Sequence, residues 1–264
     1  MSKTDHTGFT PHWIEDAPLP GTYRSLLKWG DPSEFKHPNR GLYRLMKETF
    51  GLLDADFVTP RATGQQAVDL DLPCRLEPRI LEALRDMVGE ENVHTDVYRR
   101  IKNAYGKSML DDLRLRRHQI ENLPDAVVCP RSQADVEKLV AFTVKEFGTV
   151  DILVNNVGWG SLFMIQDLPP DEWERNLKIT MTSTFNCSKA VIPYMIEKKY
   201  GKIISIASTA GIRMSTVAGV DYTAAKHGIL GLNHSLAYEV AEYGINVNAI
   251  APGMTMTDRN KSYM

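Results

Sequence analysis

GKIISIASTAGIRMSTVAGVDYTAAKHGILGLNHSLAYEVAEYGINVNAI, residues 201–250, is the stretch whose reading decides the fold class. KIISIAS at 202–208 is a short apolar run rich in isoleucine, the pattern of a strand buried on both faces. Ala225, Ile229, Leu232, Leu236 and Val240 then recur at helical spacing, and Gly244 supplies a stop. INVNAIAPG at 245–253 is apolar again and closes on turn residues. Strand, long helix and strand make a crossover unit, and such units build parallel sheets.

The same alternation runs upstream to residue 124. DAVVC at 125–129 and VDILVNN at 150–156 read as buried strands. Between them QADVEKLVAFTVKEF puts Val136, Leu139, Val140, Val144 and Phe147 on one helical face. A long helical stretch lies within 170–199, interrupted or bent by Pro193. The expected architecture is α/β, a partial Rossmann-like parallel sheet with helices on both faces. Its strands fall at about 126–129, 151–156, 202–207 and 245–250. So short a sheet leaves edges open, which favours marginal stability or self-association into a homo-oligomer.

Residues 1–123 read differently, as an irregular and helical N-terminal region set apart from 124–264. Trp13, Pro18, Pro20, Trp29, Pro32 and Pro38 mark loop-heavy sequence before a short helix at about 41–53. Leu76, Ile80, Leu84, Met87 and Val88 then keep helical spacing up to Gly89. RLRRH at 114–118 is the most basic point of a charged stretch and reads as a solvated helix face.

Bulk composition narrows the function. Lys plus Arg is 31 against 33 for Asp plus Glu, a net charge of −2, so nothing in it recruits nucleic acid or an anionic membrane. No apolar run reaches the roughly 18–20 residues of a membrane helix, and MSKTDHTGFTPHW lacks the blocks of a signal peptide. Cys74, Cys129 and Cys187 are too widely spaced for a metal motif, and an odd count suits free thiols in a reducing compartment such as the cytoplasm.

The chemistry concentrates in Ser208, Tyr222 and Lys226. Tyr222 and Lys226 stand four apart on one side of a helix, and Ser208 ends a strand at the carboxyl edge of the sheet. A phenol titrates at about 10, too high for efficient proton transfer at neutral pH. A neighbouring ammonium lowers that value, and a serine hydroxyl can hold a substrate oxygen beside it.

NNVG at 155–158, SIAS at 205–208, YTAAK at 222–226 and NAIAPGMTMT at 248–257 each follow or frame one of these elements. Together, over about 134–258, they resemble the short-chain dehydrogenase/reductase family. The resemblance implies an oxidoreductase that moves hydride between NAD or NADP and a small-molecule alcohol or ketone. It implies Tyr222 as acid/base, Lys226 as its partner and ribose ligand, and Ser208 as the orienting hydroxyl. Asn155 and Gly158 would lie along the cofactor, Pro252 and Gly253 beside the nicotinamide, and Thr257 near its amide or the pyrophosphate.

Three departures qualify it. Thr180, in WERNLKITMTSTF, stands where the family carries an asparagine of the proton relay, and Asn176 one turn earlier is no substitute. Nothing in residues 1–149 matches the glycine-rich first turn that cradles the pyrophosphate. The family's substrate lid, last helix and last strand would follow Met264. The expectation is therefore a chain inactive in isolation.

KWGDP at 28–32, GEENVHTDVYRRIKNAYGKSMLDDL at 89–113 and PDAVVCPRSQADVEKLVAF at 124–142 resemble the start of FAD-linked oxidases of the alkyldihydroxyacetonephosphate synthase and glycolate oxidase type. That resemblance covers about 20–145 and implies a chimera or truncated fusion joined near 134–150. The alternatives are an FAD-dependent oxidase fragment and a non-catalytic fusion product or assembly subunit.

Overall fold

The structure, a computed structural model, describes residues 21–27, 40–53, 66–105, 109–117, 119–215 and 218–253. The chain forms two units that interleave in sequence: the described residues of 1–77 and 94–127, and those of 78–93 and 128–253.

The first unit is helical: α1 (Tyr23–Leu27), α2 (Arg40–Phe50), α4 (Val97–Ala104) and α5 (Met109–Arg116). Leu26, Ile101 and Leu115 form its core, with Tyr23, Val68, Leu70, Tyr98, Tyr105 and Leu123 packed against them. Arg100 is buried at its centre, donates to the carbonyls of Leu72 and Pro124, and lies 3.9 Å from Asp125. The basic run on α5 therefore has an apolar side: Leu115 is 2% exposed, while Arg114 pairs outward with Asp111.

The second unit carries α3 (Pro78–Val88), α6 (Gln133–Phe147), β3 (Ile152–Asn155), α7 (Pro170–Leu177), α8 (Ser183–Lys198), β4 (Gly201–Ile206), α9 (Val220–Val240) and β5 (Ile245–Ile250). Helix α6 starts on a capping box. Ser132 Oγ accepts from the Asp135 N–H, and the Asp135 carboxylate accepts from the Ser132 N–H. It stops at Gly148, whose φ of 81° closes the helix in the left-handed region. Phe147 is not on the buried stripe as expected; it is 71% exposed, at the last helical residue where the chain turns away.

The sheet is parallel, Rossmann-like and ordered β3-β4-β5, with α7 and α8 carrying the first crossover and α9 the second. Register pairs Leu153 with Ile203 and Ile203 with Val247, so these side chains share a face. There they join Val191 and Met195 of α8, Leu236 and Val240 of α9, Ile245, and Val140 of α6 in one core. The alternate residues Ile152, Val154 and Ile250 are each more than half exposed.

Two expectations need correction. The 126–129 strand is short, β2 (Val127–Val128), and pairs with β1 (Val93–His94) in a separate two-stranded sheet, so the parallel sheet has three described strands rather than four. Pro193 does not interrupt the 170–199 helix. It lies inside α8, where the flanking Val191 and Met195 are 1% and 0% exposed and packing overrides the missing N–H. The break falls at Lys178–Thr182, a π-helical turn between α7 and α8.

Candidate active site

Ser208 leaves the carboxyl end of β4 in extended conformation and caps the short 3-10 turn Thr209–Gly211, its Oγ accepting from the Ala210 N–H at 3.1 Å. Accepting there leaves its hydroxyl hydrogen free to donate elsewhere. Tyr222 and Lys226 rise from the first two turns of α9, with Lys226 Nζ 5.6 Å from the Tyr222 ring centroid. Lys226 is 3% exposed, and Nζ donates to the Ile206 carbonyl at 2.7 Å. That bond ties α9 to the end of the strand from which Ser208 emerges. Burial pushes the Lys226 ammonium down to about 8.

The loop after β3 closes over this pair. A Cβ on Gly160 would stand 2.6 Å from Tyr222 Cδ2, so the loop backbone lies directly on the ring. A Cβ on Gly158 would stand 3.0 Å from Lys226 Nζ. Only a residue without a side chain lets the loop approach the tyrosine this closely.

Asn155 sits under the loop rather than in it. It is 7% exposed, and its amide donates to Ser188 Oγ at 3.2 Å and Ser205 Oγ at 3.5 Å, joining β3 to α8 and β4. Pro252 and Gly253 follow β5 alongside the Ser208 turn: the Thr209 N–H donates to the Pro252 carbonyl at 2.9 Å, and Gly253 faces the Thr209 methyl. Thr257 lies outside the described residues.

Thr180 occupies the middle of the π-helical turn and is fully buried. Its hydroxyl accepts from the Trp159 N–H at 2.9 Å, and its one proton is shared between the Trp159 carbonyl and Asn176 Oδ1, each at 3.1 Å. The Ser183 and Thr184 hydroxyls donate back to the carbonyls of Ile179 and Thr180, four residues earlier, as hydroxyls on a helix commonly do. Asn176, also fully buried, gives its amide to Asp221 Oδ2 at 2.8 Å.

Asp221 carries no role in the motif reading, yet it is fully buried beside Tyr222. Its one sequence signal is an acidic residue in the first turn of a helix, which ordinarily reads as helix-dipole compensation. Gly160, two residues beyond the NNVG motif, left no signal that a single sequence can resolve.

Among the described residues there is no cluster of three or more metal-ligating side chains, and no helix long and apolar enough to cross a membrane. Cys74, Cys129 and Cys187 are free thiols.

The chain is 40% identical over 124 residues to the D-beta-hydroxybutyrate dehydrogenase of Cupriavidus necator, covering 47% of this chain and 48% of that protein. It is 40% identical over 129 residues to the 3-oxoacyl-(acyl-carrier-protein) reductase FabG of Salmonella typhimurium, covering 49% and 52%. The chain thus spans about half the length of the curated relatives it matches. The crystal structure of NAD+-bound xylitol dehydrogenase is similar over 46% of this chain and 47% of that one, at 38% identity and a TM-score of 0.45. The family model for short chain dehydrogenases matches residues 109–264, beginning well upstream of residue 134 and covering more than half of the sequence; the chain belongs to the short chain dehydrogenase family.

Proposed function

We propose that residues 150–253 carry the nicotinamide-side half of an alcohol/ketone oxidoreductase, with Ser208, Tyr222 and Lys226 as its catalytic group. The observation that carries this reading is the buried Lys226 ammonium, 5.6 Å from the Tyr222 ring and bonded to the end of β4. Tyr222, whose ring lies beside that cation, is placed to take a proton from an alcohol or return one to a developing alkoxide. Ser208, with its hydrogen free, can hold the same substrate oxygen.

A nicotinamide cofactor, NAD or NADP, supplies the hydride when bound. The residues present suit its ribose-nicotinamide end. Among the described residues Lys226 gives one of its three N–H groups to the Ile206 carbonyl, which leaves two for hydroxyl oxygens. Gly158 keeps the space beside that ammonium clear of side chains. At Gly253 an added Cβ would likewise meet nothing nearer than the Thr209 methyl at 3.9 Å. The substrate is a small alcohol or ketone, and a homo-oligomer acting in the cytoplasm belongs to the same proposal.

The test is absorbance at 340 nm with NADH or NADPH at millimolar concentration and a panel of small ketones. Tyr222→Phe should lower any turnover by about 100-fold or more, the usual contribution of a positioned acid/base. Turnover that survives Tyr222→Phe overturns the assignment.

The reading of 1–123 as a flavin-oxidase-like region, of 124–264 as a partial dehydrogenase domain, and of the chain as a fusion rests on the residue runs quoted above. Purified protein without a flavin absorbance band counts against the FAD part of it.

A further inference from the structure

Outside the Ser208, Tyr222 and Lys226 group, the second unit holds a fully buried carboxylate, Asp221. Its Oδ2 accepts from the Ser161 N–H at 3.1 Å and from Asn176 Nδ2 at 2.8 Å. The Ser161 carbonyl in turn accepts from the Gly219 N–H at 3.0 Å, so loop and helix start are laced from both sides. Through Asn176 the network continues to Thr180, which holds both the N–H and the carbonyl of Trp159. One carboxylate therefore fixes the loop after β3 twice, directly at Ser161 and indirectly at Trp159. Gly160, between those two anchors, is the residue that lies on the Tyr222 ring.

We propose that Asp221 is a positioning residue: its carboxylate seats the 158–161 loop on Tyr222 and Lys226 and so keeps the Lys226 ammonium buried. This rests on the catalytic reading above only for its consequence, since the seating itself is independent of turnover.

The electrostatics agree with the geometry. Burial pushes the Asp221 carboxyl up, but the Ser161 side chain, the Tyr222 and Ser161 N–H groups and the Asn176 amide outweigh it and hold the group below the ordinary carboxylate range. Among the described residues Oδ1 has no hydrogen-bond partner. The position at the start of α9 adds the favourable end of the helix dipole. The carboxylate is thus ionised at neutral pH and available as an acceptor.

Lys226 reports the seating. Its lowered pKa comes from burial, and the loop at Gly158 is one wall of that burial. Among the described residues Tyr222 is the titratable side chain set against its ammonium. Strand β4 presents the Ile206 carbonyl, and the loop presents backbone.

The experiment is trace acylation of the full chain from pH 6 to 11, with the Lys226 peptide read by mass spectrometry. The parent should show a midpoint near 8. Asp221→Ala should move it up by more than about one pH unit, toward the ordinary value of about 10.4. Asp221→Asn, which keeps an oxygen where Ser161 and Asn176 donate, should leave it near the parent's. Where Asp221→Ala gives no cooperative melt, Thr180→Val, which cuts the Trp159 anchor and leaves the Ser161 anchor in place, should shift the midpoint in the same direction. A folded Ala or Val variant with the parent's midpoint overturns the proposal. So does an Asn variant that shifts as far upward as Ala, or a parent midpoint near 10.4. None of these outcomes depends on turnover, so a failed catalytic assignment is read separately.

Discussion

Lys226 Nζ donates to the Ile206 carbonyl at 2.7 Å while 97% of the residue is out of water, so the cation beside Tyr222 is also a strut between α9 and β4. Holding a charge there has a pH signature. The folded-state value of about 8 lies below the ordinary value of about 10.4. Between those two values the unfolded chain binds more protons than the folded one, so stability rises with pH across that window. Lys226→Met should remove this rise. In thermal melts at pH 7, 8, 9 and 10, any advantage of the variant over the parent should be largest at pH 7 and shrink toward pH 10. A gap that widens with pH contradicts the assignment.

Gly160→Ala should be costly because the new methyl meets Cδ2, Cβ and Cγ of Tyr222 at 2.6–2.8 Å. Overpacking of this kind costs about 1–3 kcal/mol. Gly231 on α9 is the contrast, with nothing within 4 Å of a Cβ. There Ala should stabilise by roughly 0.5–1 kcal/mol, the ordinary helical preference. Urea denaturation of the two variants side by side checks both signs.

Thr180→Val keeps the shape and removes the hydroxyl that Trp159 and Asn176 share. The Trp159 N–H would lose its partner, at a cost of about 1–3 kcal/mol. Thr180→Asn, which the motif comparison invites as a restoration of the relay, has to fit a larger side chain into a fully buried position. It should lower the melting temperature as well, and an unchanged melt would show that the pocket around the π-helical turn is looser than these contacts indicate.

Ser132→Ala deletes the N-cap of α6 and half of its capping box. Loss of such a cap costs about 1 kcal/mol. Chemical denaturation should register that loss without changing Lys226 acylation, because α6 contributes to the core through Val140 and supplies none of the hydrogen bonds that hold Lys226, Asp221 and Thr180.

The strands at β3, β4 and β5 are legible because a parallel sheet writes them as continuous apolar runs. Helix α6 is legible from its apolar stripe, while its Ser132 cap and Gly148 stop come from the structure. Phe147 departs from the stripe because periodicity says which side a residue faces, not whether a neighbour is there to cover it. Pro193 misleads for a related reason: propensity is local, whereas the burial of Val191 and Met195 that holds α8 together is tertiary. The π-helical turn at Lys178–Thr182 has no propensity signature at all. Ser208, Tyr222 and Lys226 can be read from motif spacing. Asp221, Asn176 and Gly160 cannot, because their importance lies in contacts across 45 to 62 residues of chain.

Calorimetric titration of the full chain with NADH, and with reduced nicotinamide mononucleotide in parallel, tests the central claim most directly. The claim is a nicotinamide half-site built on Tyr222 and Lys226. With no glycine-rich pyrophosphate turn in residues 1–149, the adenosine half adds little, and each 1.4 kcal/mol forgone is about tenfold in affinity. The account predicts weak binding of both ligands, at about millimolar or weaker and within a few-fold of each other, abolished by Lys226→Met. Low-micromolar NADH binding that survives both Lys226→Met and Tyr222→Phe would contradict it, and would direct attention to the basic run on α5.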